Sequence, residues 1–275
     1  MTELDARKLS LEIFQQVASH VDGATLVRGA GKDPTVAAAT HVLAVGKVAF
    51  PMLMGVGAGA AAGSPPRPTL AIAPGPKVPL SLPFGVQVFP ADHPQPSARS
   101  VTAGEGALAF VRALTPEDRL LVLLSGGTSS LLCAPARGLS LEDKRAATGA
   151  VLRGGAAIGA LNAVRKHLSA IKGGRLALES KAPVMVLALS DVIGGEPATI
   201  GSGPFSGDPT TFADALGVVA QTGAAVPDVV RAHLEAGARG EIPETPKPGD
   251  PRLAHVTWTA IAGPDHVPVE ARRAA

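Results

Sequence analysis

Five short aliphatic runs, each finishing in small or polar residues, constrain this chain more than any other feature of it. HVLAV, residues 41–45, runs into Gly46-Lys47, TLAIA into Pro74-Gly75, and GVQVF into Pro90-Ala91-Asp92-His93. RLLVLL ends in Ser125-Gly126-Gly127, and PVMVLAL ends in Ser190-Asp191. Several runs are apolar at consecutive positions, which is how a strand buried on both faces of a parallel sheet reads. Helical patterning over 100–114 and 141–160 separates them, the second segment opened by Ser140 with Asp143 three positions on. Another helix is predicted at the start, where Leu9, Ile13, Val17 and Val21 repeat behind a capping pair of Thr2 and Asp5. Strand and helix in alternation predict a doubly wound, Rossmann-like α/β fold with a mostly parallel sheet flanked by helices. In such sheets ligands bind outside the carboxyl ends of the strands.

Beyond Asp191 the pattern loosens. Asp208-Pro209 reads as the cap and first position of a helix reaching about Thr222, residues 241–251 as a proline-rich loop, and HVTWTAIAGP as one more strand ending at Gly263-Pro264.

A chain of 275 residues, 46% of them hydrophobic, can bury a sizeable core. Its 25 basic and 23 acidic residues leave a net charge of +2, which gives no electrostatic footprint for nucleic acid. Cys133 is the only cysteine, so an internal disulfide is excluded, a buried inert thiol is expected, and a reducing cytoplasmic setting follows. The opening MTELDARK lacks the basic start of an export signal. The longest apolar stretch, Phe50 to Gly63, is broken by Pro51 and glycines. It falls short of the roughly 20 residues that span a bilayer, so no membrane partner is expected.

The loops carry the chemistry. In Ser125-Gly126-Gly127-Thr128-Ser129-Ser130 a strand end, two glycines and a helix start bring backbone N–H groups and four hydroxyls together, a geometry that suits a phosphate. The same residues also read as a tight strand-to-helix turn with capping serines. Lys47, at the end of HVLAV, either reaches the same anion as a point charge or is a solvated surface lysine. No GxxxxGK[ST] pattern occurs, and the GxGxxA spacing of Gly57, Gly59 and Ala62 lacks the preceding strand that a dinucleotide fingerprint requires. In LNAVRKHLSAIKGGRLA, residues 161–177, helical spacing would put Arg165, Ser169 and Lys172 on one face, with Arg175 after the Gly173-Gly174 stop. Such a group either clamps phosphate or carboxylate or forms a solvated face. His167 reads as a hydrogen-bonded structural residue, since no metal-binding motif accompanies it. Asp191 either caps its turn or serves as a base or magnesium ligand.

At these residues the chain resembles the glycerate 2-kinase family, two-domain kinases whose second domain is called MOFRL. SGGTSSLLCAP is similar to the family's SGGGSALL-type loop, LNAVRKHLSAIKGGRLA follows its N-x-VRKHLS-x-IKGGRLA segment, and LSDVIGG, IGSGP and DPTTFADAL track its SDV, SGP and DPTT stretches. ADHPQP and ETPKPGDP fit as well, so the resemblance covers nearly the whole chain. It implies transfer of phosphate from ATP, with Mg2+, to the 2-hydroxyl of D-glycerate in a cleft between two domains. It further implies Lys47 as stabiliser of the transferring group and Asp191 as base or metal ligand. The 125–130 loop would bind phosphate, with Arg165, Lys172 and Arg175 as further anion contacts. A nicotinamide-dependent hydroxypyruvate reductase, a label that members of this family have also carried, and a non-catalytic nucleotide-binding remnant are the alternatives.

Three departures accompany the resemblance. Thr128 stands where a glycine is usual, Gly195 stands where the family continues Gly-Asp after SDV, and the sequence ends at Ala275 before any MOFRL domain. Residues 1–275 are thus expected to form the amino-terminal type of domain alone. Stand-alone activity is then in question, and self-association or a separate partner carrying the second domain is expected.

Overall fold

All five runs form strands and the sixth follows where HVTWTAIA stands: β1 (His41–Val45), β2 (Thr69–Pro74), β3 (Val86–Ala91), β4 (Leu120–Ser125), β5 (Val184–Leu189) and β6 (Val256–Ala262). The computed structural model describes residues 22–57, 67–75, 82, 85–189 and 196–262. The strands lie in the order β3-β2-β1-β4-β5-β6, and every neighbouring pair is parallel. From β1 the chain winds outward through β2 and β3, then returns to pair β4 on the other side of β1. The connections leaving β1 and β4 therefore part in opposite directions, which opens a crevice at that point of the sheet.

Strand residues alternate between two cores, as the pleat dictates. Leu43, Val45, Leu70, Ile72, Val122, Leu124 and Val186 face one side, where Ala103, Ala107 and Val111 of a long helix cover them. Val42, Ala44, Ala71, Leu121, Leu123 and Leu187 face the other, under Val27, Met52 and Leu53. Burial on both faces explains the consecutive apolar residues of β4, all six of which are buried.

The helices, in chain order, are α1 (Gly23–Ala30), α2 (Pro34–Ala37), α3 (Ala49–Gly57), α4 (Ala98–Arg112), α5 (Thr128–Leu131), α6 (Leu141–Arg153), α7 (Ile158–His167), α8 (Arg175–Leu178), α9 (Phe212–Gln221) and α10 (Asp228–Ala238). α1 and α3 cover one face of the sheet and α4 the other. α6, α7, α9 and α10 instead pack on one another around Ala147, Leu161, Val164, Phe212, Val219 and Leu234, forming a third core beside the sheet.

Three helix expectations are corrected. The segment 141–160 is two helices, broken at Gly154-Gly155, because Gly155 adopts φ +81° and a Cβ on Gly154 would lie 2.7 Å from Thr222 Cβ. Ser140 and Asp143 do cap the first of them reciprocally. The helix expected from Asp208 starts at Phe212, capped by Thr211 and Asp214, while the Asp208 carboxylate accepts from Thr210, Thr245 and Lys166. α7 ends at His167, so Arg165, Ser169 and Lys172 do not share a helix face. Ser169 instead accepts hydrogen bonds from the backbone N–H groups of Ile171 and Lys172, both at 3.3 Å, which tightens the loop after the helix.

Residues 241–250 form the expected loop, and Cys133 is buried and unpaired. Among the described residues no helix is long and apolar enough to cross a membrane. The expectations placed on residues 2–21, Gly59, Ala62, Asp191 and Gly263-Pro264 lie outside the described residues.

Candidate anion-binding site

The ends of β1 and β4 are joined directly, with the Lys47 backbone N–H donating to the Gly126 carbonyl at 2.9 Å. That closeness explains the glycines. Gly46 has φ +134°, and a Cβ there would fall 2.0 Å from Ser125 Oγ. Gly127 has φ +90°, and its missing Cβ leaves room for Lys47 Cγ and His93 Cδ2, each 3.1 Å from where that atom would sit. The turn thus brings the side chains that follow β1 and β3 against the one that follows β4.

The hydroxyls of the turn divide between two tasks. Thr128 Oγ1 donates toward the carbonyls of Ser125, at 2.7 Å, and Val45, at 3.1 Å. Ser125 Oγ lies 3.4 Å from the Val45 carbonyl and accepts from the Val48 N–H at 3.3 Å. Both are buried and stitch β1 to β4. Ser129 and Ser130 face the other way and line a cavity. The helix that follows, α5, is a single turn, so it adds only a small dipole.

This cavity, of ≈ 320 Å³, lies outside the carboxyl ends of the strands at the crevice. Lys47 and His93 stand at its mouth, both exposed, with Pro94 and Pro96 beside them. Gly127, Ser129 and Ser130 form one wall, while Lys144, Thr148, Arg165 and Lys172 close the deep end. Lys144 is 4% exposed and Lys172 is 1% exposed. Lys144 Nζ donates to the carbonyls of Leu168, at 3.0 Å, and Arg165, at 3.3 Å. Lys172 Nζ donates to the Gly201 carbonyl at 3.2 Å. Among the described residues none of the four cations Lys47, Lys144, Arg165 and Lys172 pairs with a carboxylate. Burial, reinforced by neighbouring positive charge, pushes Lys144 down to about 8 and Lys172 down to about 7, and burial also lowers Arg165.

A second turn locks the wall in place. Gly201, Ser202 and Gly203 all hold left-handed backbone, with φ of 62°, 62° and 61°. For Ser202 that conformation is strained, and the surroundings enforce it. Ser202 Oγ shares a hydrogen bond with Ser129 Oγ at 2.9 Å and donates to Asn162 Oδ1 at 3.3 Å. Asn162 Oδ1 accepts in turn from the Arg165 guanidinium at 3.4 Å. The serine wall and the deep guanidinium are therefore linked through one strained residue.

Arg175 is not brought to the cavity. It donates to the carbonyls of Lys166, at 3.1 Å, and Pro243, at 3.3 Å, and lies 5.9 Å from the Phe212 ring centre. It sits beside a buried ion pair of Lys166 and Asp208, 3.0 Å apart. Burial alone would raise the Asp208 carboxyl, but hydrogen bonds from Thr210 and the Lys166 charge hold it below the usual range. His167, fully buried, donates from Nδ1 to the Ala163 carbonyl at 2.8 Å, the structural part its sequence context predicts. Burial lowers its pKa, against the opposite pull of the Ala163 carbonyl and of Asp208 and Glu244.

Asp191 lies outside the described residues, and among the described residues no carboxylate lines the cavity. Among the described residues no group of three His, Cys, Asp or Glu is arranged to hold a metal, so they do not by themselves fit Mg2+. Sequence reasoning missed Lys144, Asn162 and Ser202. Lys144 sits in LSLEDKRAA, among Glu142 and Arg145, where it reads as one more surface charge of a capped helix. Its burial arises from packing against the carbonyl end of α7, which no local pattern announces.

Residues 9–235 match the profile of a family described as "Domain of unknown function (DUF4147)". A protein of Agrobacterium vitis with a provisional hydroxypyruvate reductase name is 45% identical over 172 residues, which is 62% of this chain and 38% of that protein. A glycerate 2-kinase of Pyrococcus horikoshii is 41% identical over 170 residues, 61% of this chain and 39% of the kinase. The crystal structure of a glycerate kinase from Thermotoga maritima superimposes with a TM-score of 0.81 at 30% identity, covering 98% of this chain and 62% of that one. The chain thus spans less than two thirds of each of these relatives. It belongs to the DUF4147 family and is similar to the amino-terminal part of the glycerate 2-kinases.

Proposed function

We propose that this chain is the anion-binding part of a glycerate 2-kinase, which transfers the γ-phosphoryl group of ATP to the 2-hydroxyl of D-glycerate and yields ADP and 2-phosphoglycerate. The observation that carries this reading is the cavity at the β1/β4 crevice, where four cations converge and the described lining residues include no carboxylate. A substrate carboxylate and a transferring phosphoryl group supply the missing negative charge. Phosphoryl transfer asks a protein mainly for positioning and charge neutralisation, and this site is built of cations and hydroxyls. In the reaction the 2-hydroxyl oxygen forms the new P–O bond, the bond to ADP breaks, and the hydroxyl proton passes to a base.

Lys47, exposed at the mouth, is assigned to the transferring group, Ser129 and Ser130 to phosphate oxygens, and Asp191 to the base or metal position. Ser125, Gly126, Gly127 and Thr128 shape the turn that presents them. Residues 1–275 act as the amino-terminal type of domain, and a second domain, in the same or another polypeptide, completes the cleft. The test is to incubate the chain with ATP, Mg2+ and D-glycerate, alone and with the carboxyl-terminal part of a full-length relative. Formation of 2-phosphoglycerate in either mixture is expected, and its absence from both with folded protein removes the reading.

The name of the Agrobacterium vitis relative favours a second reading, reduction of hydroxypyruvate by NADH or NADPH. That substrate is also a small carboxylate, so the two readings differ in the co-substrate. Oxidation of NADH on adding hydroxypyruvate supports the reductase, while failure to bind NADH disposes of it. Binding of ATP without transfer in both mixtures leaves a nucleotide-binding remnant.

A further inference from the structure

The deep end of the cavity differs from its mouth. The Lys144 and Lys172 side chains are withdrawn from water yet bonded only to main-chain carbonyls among the described residues, and both residues line the cavity. An ammonium group in that position has neither solvent nor, among the described residues, a carboxylate counter-charge, which favours its neutral form until an anion arrives. Charged groups that face the pair come from several elements: Arg165 on α7, Arg175 on α8, Lys47 after β1 and His93 after β3, with the Cys133 thiol also near. Arg165 disfavours the charged form of both lysines and Arg175 that of Lys144, and only Cys133 acts the other way.

The size and lining of the space narrow the ligand. At ≈ 320 Å³ the cavity stands at the low end of small-molecule sites, which run from about 300 to 1,000 Å³. Apart from His93 its described lining residues offer no aromatic wall on which a nucleotide base could stack, so it suits a compact acid better than a whole nucleotide. We propose that Lys144, Lys172 and Arg165 seat the carboxylate of the small acid substrate, and that its arrival charges the two lysines by proton uptake from solvent. This deepens the kinase reading and rests on it for the identity of the acid. The seat acts as a gate on binding: above neutrality the lysines release protons and the acid loses its counter-charges.

Titration calorimetry of D-glycerate at pH 8, in buffers of different ionisation enthalpy, reads the uptake directly. The acid itself stays ionised throughout, since such carboxyls titrate near pH 3.5. About one proton is expected to enter per ligand, and the affinity at pH 9 is expected to be at least about tenfold weaker than at pH 7. Lys172→Met should lose most of the uptake and weaken D-glycerate at least about tenfold. Its melting temperature should stay level or rise, because an apolar side chain replaces a buried amine with no carboxylate partner among the described residues. Binding with no proton exchange, or a Lys172→Met variant that binds as the parent does, overturns the seat. Sulfate, which neither reacts nor titrates here, separates this from the kinase reading. Proton uptake with sulfate, joined to failure of phosphoryl transfer in the assay above, upholds the seat and removes the kinase. Turnover of D-glycerate with no uptake at pH 8 does the reverse.

Discussion

Single residues carry the geometry of the site, and Gly127 is the most exposed to test. Gly127→Ala places a Cβ 3.1 Å from both Lys47 and His93 and forces an L-residue to φ +90°. The strain is expected to cost about 1–3 kcal/mol of stability, and D-glycerate binding should weaken because Lys47 must shift. Denaturant unfolding and calorimetry on the same sample check both parts. Asp208→Asn probes the other buried cluster. It leaves Lys166 as an uncompensated buried cation and is expected to lower stability by about 3–5 kcal/mol, read from the denaturant midpoint. D-glycerate binding at saturating folded protein should hardly change, since Asp208 does not line the cavity. A large loss of binding with little loss of stability would show that this cluster belongs to the site.

At the scale of elements, the central strands were legible because burial on both faces leaves a short apolar run that ends in small or polar residues. The turn at Ser125 to Ser130 and Lys47 after β1 were legible for the same reason, being attached to strand ends. Helix ends were less so. Helical periodicity runs through 141–160 without a gap, and only the close approach of Thr222 shows why the chain must break at Gly154. Gly154→Ala is expected to push the end of α6 away from α9 and to destabilise the protein by about 1–3 kcal/mol, measured by thermal unfolding. Arg165 and Lys172 were singled out on a helix-face argument that fails, since α7 stops at His167. They meet all the same, because the loop after the helix folds Lys172 back beneath Gly201. Lys144 was illegible, for a lysine on a capped helix looks the same in sequence whether its tip meets water or a neighbouring helix end.

For the whole molecule, the buried lysines set a pH trend that runs opposite for stability and for binding. Their folded pKa values, about 8 for Lys144 and about 7 for Lys172, lie below the ordinary 10.5, so between these limits the unfolded chain holds protons that the native chain lacks. Stability of the ligand-free protein therefore rises with pH across that window. Burial of His167 and His233 acts in the same sense at lower pH, since both are held below 6.5. Scanning calorimetry from about pH 6 to pH 9.5 is expected to show a rising melting temperature without ligand and a smaller rise with saturating sulfate. Anion capture at the crevice between β1 and β4 is the claim on which the rest stands, and a crystal structure of the chain with D-glycerate tests it most directly. Carboxylate oxygens are expected within about 3 Å of Lys172 and Arg165, with the 2-hydroxyl turned toward Lys47. D-glycerate bound at another place, with this cavity left to solvent, would contradict it.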